Sequence, residues 1–303
     1  MRLTLTSQAA DSENSGLANG EMNVVGPERA IRVDALHGVV RTWRADRFSH
    51  KNYVSRRALA AYLRRQRSPY AERFPPPSTD SSLLTVDDST RAAALACLVA
   101  RQRGHGVQFF VNPYQISTGE PYFFTMMDAY IDHRAVSCVS FAGSRYSLAT
   151  HDDRRRLRAT LKRCLRNLQP SDSLTEIHAI GRGIAGRLLA VPDHSAPVTL
   201  ADLHALQDAG VSVQSHGWSH RSIDAMTTPE FEEHVLRARD WLRQELGAAP
   251  ELYAVPFGDV DVPEQWRSLV VETTFLLDGS LPAGFRRPRC INRTDIAGMV
   301  RSR

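Results

Sequence analysis

Three short stretches carry side chains able to do chemistry. In Thr85-Val86-Asp87-Asp88-Ser89-Thr90 two carboxylates stand side by side at the end of an apolar run. Neighbouring side chains at a strand end project differently, so one carboxylate can ligate a metal while the other is left as a base. In Ser215-His216-Gly217-Trp218-Ser219-His220 two imidazoles are four residues apart. That spacing places them on one face of a helical turn, both within reach of one ion. One Asp with two His makes three protein ligands and leaves a coordination position for water, as in catalytic zinc sites. A cation held this way acidifies water and polarises a carbonyl. The third stretch, Tyr253-Ala254-Val255-Pro256-Phe257-Gly258-Asp259, contains a Pro-Phe-Gly turn. A backbone N–H there, for instance that of Phe257, can donate to a developing oxyanion. Each stretch also has a plainer use, as a helix cap, a pair of hydrogen-bonded histidines or a simple turn.

The elements around these stretches alternate. Short apolar runs at 83–86, 107–111, 211–214, 252–255 and 272–277 read as strands, and another begins at Ala30 in AIRVDALHGVV. Helical patterns follow at 53–67, 91–102 with Ser89 or Thr90 as cap, 151–168, 199–208, 228–246 and near 263–269. Strands alternating with helices predict a parallel sheet with helices outside and right-handed crossovers. The carboxylates and the histidines then both fall at strand C-terminal ends. Residues 113–148 read as irregular and aromatic, a candidate apolar lid or substrate platform. Residues 1–29 are polar and predicted to be flexible or loosely packed, leaving 30–303 as a single domain.

Composition removes several classes. The chain has 303 residues, 42% of them hydrophobic, enough for a sizeable core. Apolar runs are all shorter than the roughly 18 residues a bilayer span needs. The start of the chain lacks a basic segment followed by an apolar one, so the expected compartment is the cytoplasm. The net charge of +5 is carried almost wholly by arginine, with lysine only at Lys51 and Lys162. The basic runs at 154–158 and 286–289 are short and not interleaved with aromatics, which argues against nucleic acid. The stretch 154–166 is expected to be a solvated helix face. Cys97, Cys138, Cys164 and Cys290 form no CxxC pair. Cys97 and Cys164 are expected as small core residues.

The order TVDDST, SHGWSH, YAVPFGD resembles the polysaccharide deacetylase (NodB-homology) family, whose motifs are usually TFDDG, SHxxxH and RxPxG or a YPFG variant. ALHGVV, with His37, resembles the YHxV strand that opens many members. GHGVQFFVNP and LHALQDAGVSVQSH resemble the stretches flanking the first two motifs, so the likeness covers about residues 30–300. It implies a distorted (β/α)7 barrel and a metal-dependent hydrolase that removes an N-acetyl or related acyl group from a sugar or small amide. It also implies Asp87 as the base, Asp88, His216 and His220 as metal ligands, and the Phe257 amide as oxyanion donor. The metal is expected to be zinc, with cobalt, nickel and iron also suiting two imidazoles and a carboxylate. Trp218, Pro256 and Asp259 are candidate substrate contacts.

Three departures stand out. Ser89 replaces the first motif's Gly. Ala254 occupies the place of an arginine that orients the base in many members; Asp278, Arg286 and Arg289 are candidates for that work or for the cleft lining. After Gly284 no histidine remains, although many members use a late Leu-x-x-His to protonate the leaving amine. His37 is the candidate substitute acid. The missing histidine keeps two alternatives open, a non-catalytic sugar-binding relative and another C–N hydrolase, such as a cyclic amidase, on the same fold.

Overall fold

The computed structural model describes residues 32–74, 82–247, 250–258, 262–263, 266, 273–278 and 290–301. The expected loose lead at 1–29, the loop from Pro75, most of the helix near 263–269, and Asp259, Arg286 and Arg289 lie outside the described residues. In chain order the strands are β1 (Arg32–Leu36), β2 (Val39–Val40), β3 (Val54–Ser55), β4 (Ser82–Val86), β5 (Gln108–Val111), β6 (Cys138–Phe141), β7 (Ser144–Ser147), β8 (Ser212–Ser215), β9 (Leu252–Ala254), β10 (Thr274–Asp278) and β11 (Cys290–Asp295). The helices are α1 (Arg56–Arg64), α2 (Arg91–Arg101), α3 (Pro113–Thr118), α4 (Phe123–His133), α5 (His151–Leu165), α6 (Pro170–Ala185), α7 (Leu200–Asp208), α8 (Thr228–Leu246) and α9 (Ala297–Arg301).

Seven parallel strands close into a barrel in the order β1-β11-β10-β9-β8-β5-β4, the (β/α)7 architecture that the resemblance implied. Side-chain alternation fills it. Val33, Leu83, Phe110, Leu252, Ala254 and Leu276 cluster together, with Ile291 against them. Their neighbours Leu36, Leu84, Val86, Phe109, Val111 and Val213 join a second cluster with α1, α2, α7 and α9. Capping residues set the helix starts. The Thr90 hydroxyl accepts from the Ala93 N–H, and Thr199 and Asp202 bond reciprocally at the start of α7.

Residues 113–148, expected to be irregular, contain α3, α4 and the antiparallel β6–β7 hairpin. Pro113 starts α3 at a position where its missing N–H costs nothing, and Gly119 ends it with φ 72°. The helix α6 was not foreseen either; Pro170 opens it and Gly186 closes it. Together α4, α5 and α6 form a cap with its own core, from Phe123, Met126, Met127, Tyr130 and Ile131 to Leu157, Leu161, Ile177 and Ile184. Gly181 allows the closest approach, because a Cβ there would stand 2.3 Å from the Tyr130 ring. Two expectations fail on α5. Cys164 is exposed, whereas Cys97 is buried as expected. The helix is also not a uniformly solvated face, since Arg154 and Arg158 are buried. The 3.6-residue repeat carries both to the side that packs on α4.

Candidate active site

Strand alternation delivers the site to one end of the barrel. Along β4 the inward parity runs through Leu83 and Thr85 to Asp87, and along β1 through Val33 and Ala35 to His37. A cleft of about 190 Å³ opens there. Ala35, His37, Asp87, His216 and Asp295 line it from the barrel, and Asn52, Phe124, Arg158 and Lys162 from the cap side.

Asp87 is 1% exposed and held by a two-pronged ion pair: Arg293 Nη1 donates to Oδ1 at 2.7 Å and Nη2 to Oδ2 at 2.6 Å. Burial pushes the Asp87 carboxyl up, but the charge and hydrogen bonds of Arg293 outweigh it and hold it below the ordinary carboxylate range. The orienting arginine therefore comes from β11, in place of the missing third-motif residue. Arg286 and Arg289 fall outside the described residues, as does the Asp278 side chain. The sequence did carry a signal for Arg293: in CINRTD it shares parity with Ile291, and an arginine at an inward barrel position requires a carboxylate.

Asp88 turns the other way because its backbone is left-handed, with φ 68°. One of its oxygens, Oδ1, is buried and accepts no hydrogen bond. It lies 3.3 Å from His220 Nε2 and 3.8 Å from His216 Nε2. The ligand atoms of Asp88, His216 and His220 all lie within 4.8 Å of one another. His216 Nδ1 donates to the Ala254 carbonyl at 2.7 Å, which leaves Nε2 with its lone pair toward Asp88. Burial, with His220 beside it, pushes His216 down to about 4. Two imidazoles with an orphaned carboxylate oxygen make a donor set that fits a divalent cation.

The two histidines do not sit on a helical turn as the spacing suggested. They belong to a loop after β8, bent by Gly217 at φ 78° and His220 at φ 57°. A Cβ at Gly217 would fall 2.1 Å from His234 Nε2, so that position requires glycine. Sequence reasoning also missed the brace of this loop. Asn112 Nδ2 donates to the His216 and Gly217 carbonyls at 2.6 and 3.0 Å. Tyr122 donates to Asn112 Oδ1 at 2.8 Å and accepts from the Ser89 N–H at 2.7 Å. The Asp88 turn and the histidine loop are thus tied through two polar side chains, one just after β5 and one at the start of α4.

Phe257 also has a left-handed backbone, with φ 65°, in a turn closed by Gly258 N–H to Val255 O at 3.0 Å. Among the described residues its own N–H has no backbone partner. Its ring packs on His220 at 4.7 Å, with the Lys162 ammonium 4.8 Å from its centroid. Asp88, His220 and Phe257 are three of the five non-glycine residues with positive φ among the described residues, and all three line this cleft. Such strain costs on the order of 1–3 kcal/mol per residue and collects at functional sites. His37 lines the cleft with a buried Nδ1 that has no partner. Of the candidate substrate contacts, Trp218 and Pro256 are not brought together in the cleft. Pro256 is buried in the turn, and Trp218 lines a separate cavity of about 410 Å³, stacked under the Arg237 guanidinium at 3.9 Å.

The polysaccharide deacetylase family model matches residues 144–270, a stretch holding the second and third motifs, and shows the resemblance read from them. No curated protein sequence matches the chain. Among solved structures, the Streptococcus pyogenes deacetylase PplD in complex with acetate superposes with TM-score 0.55 at 12% identity, covering 88% of this chain and 92% of that one. A polysaccharide deacetylase from Bacillus cereus gives 0.53 at 11%, covering 88% of this chain and 64% of the longer relative. IcaB from Ammonifex degensii gives 0.50 at 14%, covering 90% and 97%. Likeness at these identities establishes the fold. No helix among the described residues is long and apolar enough to cross a membrane.

Proposed function

We propose that this deacetylase-like chain is a metal-dependent amide hydrolase that removes an N-acetyl or similar small acyl group from a sugar or small amide. The observation that carries the reading is the division of labour between adjacent aspartates. Asp88 offers an unpartnered oxygen to the two imidazoles, while Asp87 is kept out of that set by Arg293. Asp88, His216 and His220 would hold the cation, with zinc as the first choice and cobalt, nickel or iron fitting the same donors. When bound, the cation supplies Lewis acidity, polarising the acyl carbonyl and acidifying water.

The chain's own groups then divide the hydrolysis. Asp87 takes a proton from the attacking water as the water oxygen bonds to the acyl carbon. Its pairing with Arg293 keeps it ionised in a buried place but makes it a weak base. The Phe257 N–H donates to the carbonyl oxygen as negative charge develops there. The C–N bond breaks, and His37 delivers the proton that the leaving nitrogen needs.

The test is acetate release from a panel of N-acetyl sugars and small amides with zinc, cobalt or nickel supplied. Asp87→Asn is expected to lower release by about 10²–10⁴-fold, the usual scale for a lost general base. His37→Gln is expected to slow turnover less for substrates whose leaving group needs no protonation. Release unaffected by Asp87→Asn would overturn the mechanism. Binding of N-acetyl sugars without release by the wild type would favour a non-catalytic sugar binder.

A further inference from the structure

The cleft is electrically two-sided. Asp87, Asp88 and Asp295 stand on the barrel wall, while Arg158 and Lys162, one turn apart on α5, stand on the cap wall. Arg158 is only 8% exposed, and Asp128 of α4 holds it along one edge. Nε donates to Asp128 Oδ1 at 2.6 Å and Nη2 to Oδ2 at 2.9 Å. Nη1 makes no hydrogen bond among the described residues, and it is not one of the sealed, unpartnered atoms. Arg158 therefore reaches the cleft with its second edge still able to donate.

A buried ion pair of this kind is a poor device for stability. Taking both charges out of water is costly, and replacing such a pair by apolar residues of similar volume is often neutral or stabilising. A guanidinium locked along one edge and presented along the other is instead suited to a planar oxyanion. We propose that Arg158 is a specificity-determining residue that binds a carboxylate or phosphate carried by the acylated substrate, with the acyl group directed to the opposite, acidic wall. This rests on the amide-hydrolase reading of the same cleft. It narrows the substrate from N-acylated compounds in general to those bearing an anionic group within one cleft length of the acyl nitrogen. Asp128 is a positioning residue, since it touches Arg158 and not the ligand.

The experiment uses the full chain loaded with metal and three probes: N-acetylglucosamine, its 6-phosphate, and N-acetylmuramic acid. Binding is followed by calorimetry and turnover by acetate release. The anionic probes are expected to bind at least tenfold more tightly than the neutral one, and preference between them identifies phosphate or carboxylate. Arg158→Gln should remove that advantage by raising KM for the anionic probe with kcat within a few-fold, while Arg158→Lys should restore part of it. If Arg158→Gln folds poorly, the apolar pair Asp128→Leu/Arg158→Met replaces both charges and should lose the same selectivity. Anionic probes that bind but release no acetate, with binding lost in Arg158→Gln, would leave this assignment standing while sinking the hydrolase reading. Equal handling of neutral and anionic probes, no binding of either anionic probe, or a preference that survives Arg158→Gln overturns the assignment.

Discussion

Two buried Asp–Arg pairs face the same cleft, and they serve opposite ends. In the barrel wall, Arg293 meets Asp87 through both Nη atoms, and the side chains are 0% and 2% exposed. In the cap wall, Arg158 meets Asp128 through Nε and Nη2, and the side chains are 10% and 9% exposed. The first pair fixes a carboxylate, holding it ionised beside the histidine loop. The second fixes a guanidinium and leaves one of its edges for a ligand. The two carboxylates titrate in opposite directions. Burial raises both, but Arg293 overcomes it at Asp87, whereas at Asp128 burial prevails over Arg158. Pairing alone therefore says little about role; the edge each arginine commits, and the neighbours of each carboxylate, decide it.

Breaking the pairs should expose the difference. Arg293→Met strands a buried Asp87 and should cost about 3–5 kcal/mol, read by urea unfolding, with activity lost. In any residual activity the acid limb of the rate profile should move to higher pH, because burial alone pushes Asp87 up. An unshifted limb would mean that Asp87 is not the group titrating. Arg158→Met should cost less, about 1–3 kcal/mol, because burial already raises the Asp128 carboxyl and, once stranded, it can take up a proton. That cost should shrink as pH falls toward 5. The folded variant then binds a proton that the unfolded chain, with an ordinary Asp, does not. A pH-independent cost would show that Asp128 stays charged.

The sequence made the barrel half of this comparison visible and the cap half invisible, for a physical reason. Barrel strands repeat every two residues and end in motif residues, so Asp87, Asp88 and His216 could be placed on the strand ends from alternation alone. Arg293 was accessible to the same reasoning but lies in a strand bounded by segments without clear pattern. The cap has no such register. Asp128 and Arg158 are 30 residues apart on separate helices, and only packing brings them together. An arginine-rich helix beginning HDDRRR looks solvated until Phe48 and α4, against which Arg154 and Arg158 pack, are in place. The His216–His220 loop was misread for a related reason: four-residue spacing is shared by a helical turn and by a loop bent at a glycine and a left-handed histidine.

Buried groups without a countercharge complete the comparison, with the smallest effect at neutral pH. Burial, with His220, Arg221 and His216 nearby, pushes His234 down to about 3, and its Nε2 has no partner. In the unfolded chain His234 titrates near 6.5. Stability from keeping it neutral is therefore fully present above pH ~6.5 and is lost as pH falls toward its folded value. The slope should be about 1.4 kcal/mol per pH unit for this one histidine. His234→Gln should flatten metal-free stability between pH 6.5 and 5; an unchanged slope would place the titration elsewhere.

The central claim is that adjacent aspartates have separate duties, Asp88 in the metal set and Asp87 outside it. Metal content of purified protein tests it most directly. One divalent ion per chain is predicted for the wild type and for Asp87→Asn, and almost none for Asp88→Ala, His216→Ala or His220→Ala. A wild type that takes up no metal, or an Asp87→Asn protein that loses it as fully as Asp88→Ala does, would contradict the account.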